Sequence, residues 1–248
     1  MIAPRDEDDR RRRAGVASES DLLERSLVRR VLSRRRYSRV LEAGSGTGRL
    51  SDVLAEGVVR FCGVDIDGRA LLVARADSPA SVARSLIRSD VGRLPFGDGS
   101  FDLVVMVRMY HRLRAPTDVL LEVRRVLRPA GHLLVSTHPR PSLRTLYQDL
   151  GAALSGVDAP SLTFDRRPVV DVGWGTLPGS VETRATTERR LRDAGFTVLE
   201  RYVTGLEELP FTRHFPVPLL ERWSAPRAPP PLSPCLFFLA ERSRGASA

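Results

Sequence analysis

From residue 21 onward, apolar positions recur in two alternating rhythms. One repeats every three to four residues; the other runs almost unbroken for five or six. Leu22, Leu23, Leu27, Val28, Val31 and Leu32 share one helical face, predicting a helix over 21–35 with Ser20 or Asp21 as its cap. A short apolar strand is expected at 39–43. A helix then starts at Arg49, with Leu50, Val53 and Leu54 on one side. Val59–Val64 reads as a second strand ending at Asp65, and Asp67 caps a helix that runs to about Ala76. Strands follow at 85–89 and 101–106, the latter nearly all apolar, as in a strand covered on both faces. A helix over 117–127 is closed by Pro129 and Gly131, ahead of a strand at 132–136.

Beyond this point the rhythm changes. A helix is expected at 141–154, then an irregular Pro- and Gly-rich stretch at 156–179. Next come a helix over 187–194 with Gly195-Phe196 as its C-terminal stop, and a strand at 197–203. A Pro-rich connection at 205–233 leads to the last strand, 235–241. Strands that alternate with helices form parallel sheets through right-handed crossovers. The last two strands have no helix between them and should pair antiparallel. The fold class expected is therefore α/β: a seven-stranded, mostly parallel, doubly wound sheet with helices on both faces and an antiparallel last strand.

Composition narrows the class. The chain is 42% hydrophobic and 28% charged, which suits a globular domain and argues against overall disorder. Residues 1–18 differ: polar, mixed in charge and aperiodic, they are expected to form a disordered arm, and 243–248 a short tail. No apolar run approaches a membrane span. The N-terminal charges precede no hydrophobic region, so a cytoplasmic location is expected. The net charge is +9, all its cations are arginine, and they are spread along the chain. That pattern suits an arginine-rich solvated surface better than a dedicated nucleic-acid face. Cys62 and Cys235 lie in expected strands without metal-ligand spacing and read as core residues; no metal site is expected.

The chemistry concentrates at Glu42-Ala43-Gly44-Ser45-Gly46-Thr47-Gly48, a glycine loop between a strand and a helix. Its glycines alternate, G-x-G-x-G. A dinucleotide loop would place its third glycine at Arg49. Three further pieces follow in order: Gly63-Val64-Asp65-Ile66-Asp67, Arg88-Ser89-Asp90-Val91, and Arg125-Val126-Leu127-Arg128-Pro129-Ala130-Gly131. Together they resemble the class I S-adenosylmethionine (SAM)-dependent methyltransferases over residues 39–137, and more weakly over 187–241. The resemblance implies a single methyltransferase domain over 19–242 with SAM as cofactor. It implies that Glu42, Gly44, Ser45, Gly46 and Gly48 form the cofactor loop. By the same resemblance Asp65 holds the ribose hydroxyls, Ile66 packs on the adenine, and Asp90 and the Val91 amide read the adenine edge. A carboxylate has two acceptor oxygens suited to a vicinal diol. The segment 125–131 takes a structural role, with Ala130 where a glycine is common in the family.

The acceptor side rests on the loop after the fourth strand, Met106–Arg112, which opens where ligands bind in such sheets. His111 is the candidate base and Tyr110 a candidate for orienting the acceptor; packing or capping is the competing role for both. His138 could also reach the pocket, and Arg108 could bind an acidic substrate. Several signatures are missing after the fourth strand: an Asp/Asn-Pro-Pro-aromatic motif, paired glutamates, a cysteine and a metal-binding acidic set. What remains resembles the enzymes that methylate small molecules. RNA methylation and ligand binding without catalysis stay open as alternatives. The inserts at 138–185 and 205–233 could cover the acceptor site, and the oligomeric state is left open.

Overall fold

The computed structural model describes residues 19–83, 85–138, 169–171, 176–178, 183–204 and 235–243. The expected N-terminal arm, the helix at 141–154 and the Pro-rich connection at 205–233 lie outside the described residues. Helix α1 (Glu19–Arg34) precedes strand β1 (Arg39–Ala43). Then follow α2 (Ser51–Ala55), β2 (Arg60–Asp65), α3 (Gly68–Asp77), α4 (Ala80–Ala83), β3 (Leu86–Arg88) and β4 (Phe101–Met106). A 3-10 turn at Tyr110–Arg112 leads into α5 (Pro116–Val126) and β5 (Leu127–Thr137). The last elements are β6 (Val169–Asp171), β7 (Thr176–Pro178), α6 (Arg184–Asp193), β8 (Phe196–Thr204) and β9 (Cys235–Arg242).

Seven strands form one sheet in the order β3-β2-β1-β4-β5-β9-β8. Every pairing is parallel except those of β9, which runs antiparallel to both β5 and β8. The expected fold class holds. Side chains alternate across the pleat and feed two cores. On β4, Val104 and Met106 point toward α5, joining Leu120, Val123 and Val126; Leu103 and Val105 join α1 and α2 residues Val28, Val31 and Leu54. Both cysteines are buried in strands, as expected. No described helix is long and apolar enough to cross a membrane.

Several boundaries differ from the sequence expectation, each for a physical reason. Helix α1 starts at Glu19, so Asp21 lies inside it rather than capping it. Asp21 is only 4% exposed and pairs with Arg49. Helix α2 starts at Ser51 instead of Arg49, because the chain is still turning at Gly48, whose carbonyl accepts from the Ser51 amide. Strand β5 starts five residues early, at Leu127. Leu127 pairs with Phe101, and the ladder then shifts register before Leu103 meets His132. Ala130 sits in this irregular stretch at φ +58°, the region where glycine is normally used. Within the stretch expected to be irregular, β6 and β7 pair as an antiparallel ribbon.

Candidate cofactor and acceptor site

The sheet order reverses direction between β1 and β4. In open α/β sheets ligands bind at such switch points, beyond the carboxyl ends of the strands. A cavity of about 810 Å³ opens there, walled by the loops after β1, β2, β3 and β4. Its wall brings together Glu42, Gly44, Ser45, Gly46, Asp65, Ile66, Asp90 and Val91, eight of the nine residues named for the cofactor. Gly48 is not among the wall residues. It lies beneath the loop, where an added Cβ would stand 3.1 Å from Ala74 Cβ.

The glycine loop is held from below. The amides of Gly44 and Ser45 both donate to the Val64 carbonyl, at 2.8 and 2.9 Å. Gly44 has φ +81°, and a Cβ there would sit 2.4 Å from Met109 Sδ, so a side chain at this position is excluded twice. The Asp65 carboxylate braces the turn. Oδ2 accepts from the Gly46 amide and Oδ1 from the Asp67 amide, both at 2.8 Å. Each oxygen keeps a second lone pair for a ligand hydroxyl. Asp67 caps α3 through the Arg69 amide, the role expected of it. Asp90 is exposed, and its Oδ1 accepts from the Gly92 amide at 2.9 Å, fixing the turn after β3. Ile66 is 64% exposed on the wall, an apolar surface left open for a ligand.

Glu42 is the most perturbed acid in this wall. Burial pushes its carboxyl up to about 7, against the opposing pull of a 2.6 Å hydrogen bond from Ser51 Oγ and the charge of Arg49. The Ser45 hydroxyl, on a residue 4% exposed, has no hydrogen-bond partner. A buried polar atom without a partner at a cavity wall fits a site that awaits a polar ligand.

The acceptor-side residues are placed differently from expectation. Tyr110 is fully buried in the core on the α5 face and does not line the cavity, so its ring anchors the loop rather than facing an acceptor. His111 is half-buried and not in the wall; its neighbours Met109 and Arg112 are. Its Nδ1 is buried without a partner, and its ring meets that of His138 edge-on, with centroids 5.0 Å apart. Burial, then Arg112 and Arg108, push the His111 ring down to about 4. Arg108 lines the cavity, as a substrate-binding arginine would, but it is already paired with Glu24. Among the described residues no group of three or more His, Cys, Asp or Glu side chains could hold a metal ion. Phe96 and Phe101 stack edge-to-face with centroids 4.8 Å apart. Arg125 clamps the segment before β4 by donating to the Phe96 carbonyl and to Asp98, both at 2.8 Å.

A doubly wound sheet with a glycine turn after β1 and an acid at the end of β2 is the arrangement in which many α/β domains bind nucleoside-bearing cofactors. Residues 41–135, under half of the chain, match the methyltransferase domain family, and over that stretch the chain is similar to SAM-dependent methyltransferases. It is 33% identical over 111 residues to a demethylmenaquinone methyltransferase of Tropheryma whipplei, covering 44% of this chain and 46% of that protein. It is 31% identical over 142 residues to a malonyl-[acyl-carrier protein] O-methyltransferase of Erwinia pyrifoliae, covering 56% and 51% respectively. The aligned region thus spans about half the length of these curated relatives. Among solved structures, a chain from the Haloferax volcanii complex of the Trm112 methyltransferase activator with a methyltransferase superposes with a TM-score of 0.61. The two share 18% identity, and the superposition covers 99% of this chain and 100% of that one; it shows a shared fold.

Proposed function

We propose that this protein transfers a methyl group from SAM to an O, N or C atom of a small-molecule acceptor. The observation that supports this most directly is the convergence of the glycine loop, Glu42, Asp65 and Asp90 on one cavity at the switch point of the sheet. When bound, SAM supplies an electrophilic methyl group on a sulfonium. The chain's own residues bind and orient. Asp65 accepts from the ribose hydroxyls, Asp90 and the Val91 amide hold the adenine edge, and Glu42 faces the ammonium end. Holding the reactants in line is itself worth roughly 7–11 kcal/mol of a bimolecular barrier in the best oriented cases.

His111 is the base in this reading. A ring pushed down to about 4 is neutral at pH 7 and accepts a proton weakly. Weak acceptance suffices for an oxygen acceptor, whose proton becomes strongly acidic as the oxygen gains the methyl. His111 then removes that proton during or after transfer, and His138 packs its ring. The relatives act on unlike acceptors by name, demethylmenaquinone and malonyl-[acyl-carrier protein], so likeness alone does not select the acceptor.

Calorimetry with SAM and S-adenosylhomocysteine tests the cofactor half. Asp65→Ala should weaken binding by about 1–3 kcal/mol, the worth of charge-assisted hydrogen bonds; unchanged affinity in the folded variant would remove Asp65 from the site. Incubating metabolite extracts and RNA with methyl-labelled SAM tests the acceptor. Label in small molecules supports the reading, label in RNA replaces it, and tight binding without any labelling marks a non-catalytic protein. His111→Ala should lower turnover by about 10²–10⁴-fold with SAM affinity nearly unchanged.

A further inference from the structure

Charge is divided between the two sides of the cavity wall. The acids Glu42, Asp65, Asp67 and Asp90 stand on the side built by β1, β2, β3 and their loops. The loop after β4 and the start of α5 contribute Arg108, Arg112 and Arg114 against one acid, Asp118. Arg108 is taken by Glu24, 3.0 Å away and outside the wall. Arg112 and Arg114 line the wall and are exposed.

Their placement is built into the turn. The Arg112 amide donates to the Met109 carbonyl at 2.8 Å and the Leu113 amide to the Tyr110 carbonyl at 3.1 Å, while the Tyr110 ring anchors the turn in the core. Leu113, extended at φ −72° and ψ 134°, packs against the same core. Side chains on either side of an extended residue share a face, so the two guanidiniums are presented together. The rest of this side is apolar, with Val107, Met109, Leu113 and Val119 in the wall. Two cations beside an apolar surface are the complement of an amphiphilic anion.

We infer that the acceptor is an amphiphilic anion, its apolar body against Val107, Met109 and Leu113 and its carboxylate or phosphate ester docked on Arg112 and Arg114. The inference rests on the methyltransferase reading above and names its substrate class. Guanidinium forks pair with either group bidentately, which fixes orientation as well as charge. The docked charge also serves the base. Burial first, then Arg112 and Arg108, hold the His111 ring down at about 4. An anion on Arg112 offsets one of those two charges, so His111 becomes a stronger base once the acceptor is in place.

A metabolite extract, filtered free of nucleic acid and protein, is split on an anion exchanger before the reaction, and each half is incubated with methyl-labelled SAM. Label should enter the retained half. Arg112→Met and Arg114→Met should each lower that labelling about 10- to 100-fold at limiting extract, with S-adenosylhomocysteine affinity by calorimetry changed less than about 3-fold. Arg112→Lys, which keeps the charge and loses the fork, should lose less. Phosphatase treatment of the retained half beforehand abolishes the label for a phosphate ester and leaves it for a carboxylate. Label in the unretained half, labelling that both Met variants leave intact, or a parallel loss of S-adenosylhomocysteine affinity overturns the inference. No label in either half overturns the methyltransferase reading itself.

Discussion

Single residues carry the sharpest tests. Ala130 occupies left-handed backbone at φ +58°, where the family commonly has glycine. A Cβ in that conformation costs roughly 1–2 kcal/mol, which outweighs the added freedom glycine gives the unfolded chain. Ala130→Gly should therefore raise stability by about 0.5–1 kcal/mol in urea denaturation. Glu42 makes the opposite case, a charge kept at a cost. Its carboxyl is pushed up to about 7 in the folded state from an ordinary 4.5. The stability it contributes is full below pH 4.5 and is lost as pH rises through about 7. Glu42→Gln should raise the ligand-free Tm at pH 8 more than at pH 6, and should weaken S-adenosylhomocysteine. Equal Tm gains at both pH values would show that Glu42 is not the ionising group.

At the level of elements, the glycine loop and the strands around it could be read from sequence because their signals are local. β4 is buried at all six positions, as its unbroken apolar run suggests. The acid ending β2 and the turn after β3 reach the cavity through backbone geometry alone. The boundaries that moved were decided at long range. β5 starts early because Leu127 meets Phe101 across the sheet, and Asp21 is drawn into α1 by a partner 28 residues away. The pairing of Arg108 with Glu24 was not legible for the same reason: the two are 84 residues apart, in a chain where arginine is too common to stand out. Tyr110 was misplaced because a loop position suggests exposure, while here the loop folds its ring into the core. One element junction deserves a direct test. Asp102 on β4, 3% exposed, accepts from the amides of Ser38 and Arg39 at 3.0 and 2.9 Å and so pins the entry to β1. Asp102→Ala strands those two amides and should cost about 2–4 kcal/mol, with S-adenosylhomocysteine affinity preserved at temperatures where the variant is folded. Loss of less than half of that would mean water replaces the carboxylate.

For the whole molecule, acid stability is a balance between groups in different places. Burial lowers both His111 and His132 from 6.5; His132 also sits between Arg35 Nη1 at 2.7 Å and Glu241 Oε2 at 3.6 Å. A base whose folded value is depressed contributes stability that is full above 6.5 and is lost as pH falls toward the folded value. Glu42 gains over much of the same interval, so the wild-type profile should be shallow. Glu42→Gln should unmask a steeper fall in stability between pH 6.5 and 4.5, measured by urea denaturation at fixed ionic strength. A profile no steeper than wild type would show that the histidines are not what the carboxyl offsets. The sheet order bears on how the protein is made. β9 is translated after every other described strand, yet it is inserted between β5 and β8 and buried along most of its length. While the ribosome is still adding residues 205–234, β8 has no neighbour in the sheet, and the edge of β5 that will pair with β9 lies bare. Synthesis runs at roughly 5–20 residues per second, so this unfinished edge persists for some seconds on every nascent chain. The final strand thus works as a keystone. A ribosome-stalled chain ending before Cys235 should stay open to protease, and extending it through Arg242 with a linker long enough to clear the exit tunnel should close it in one step.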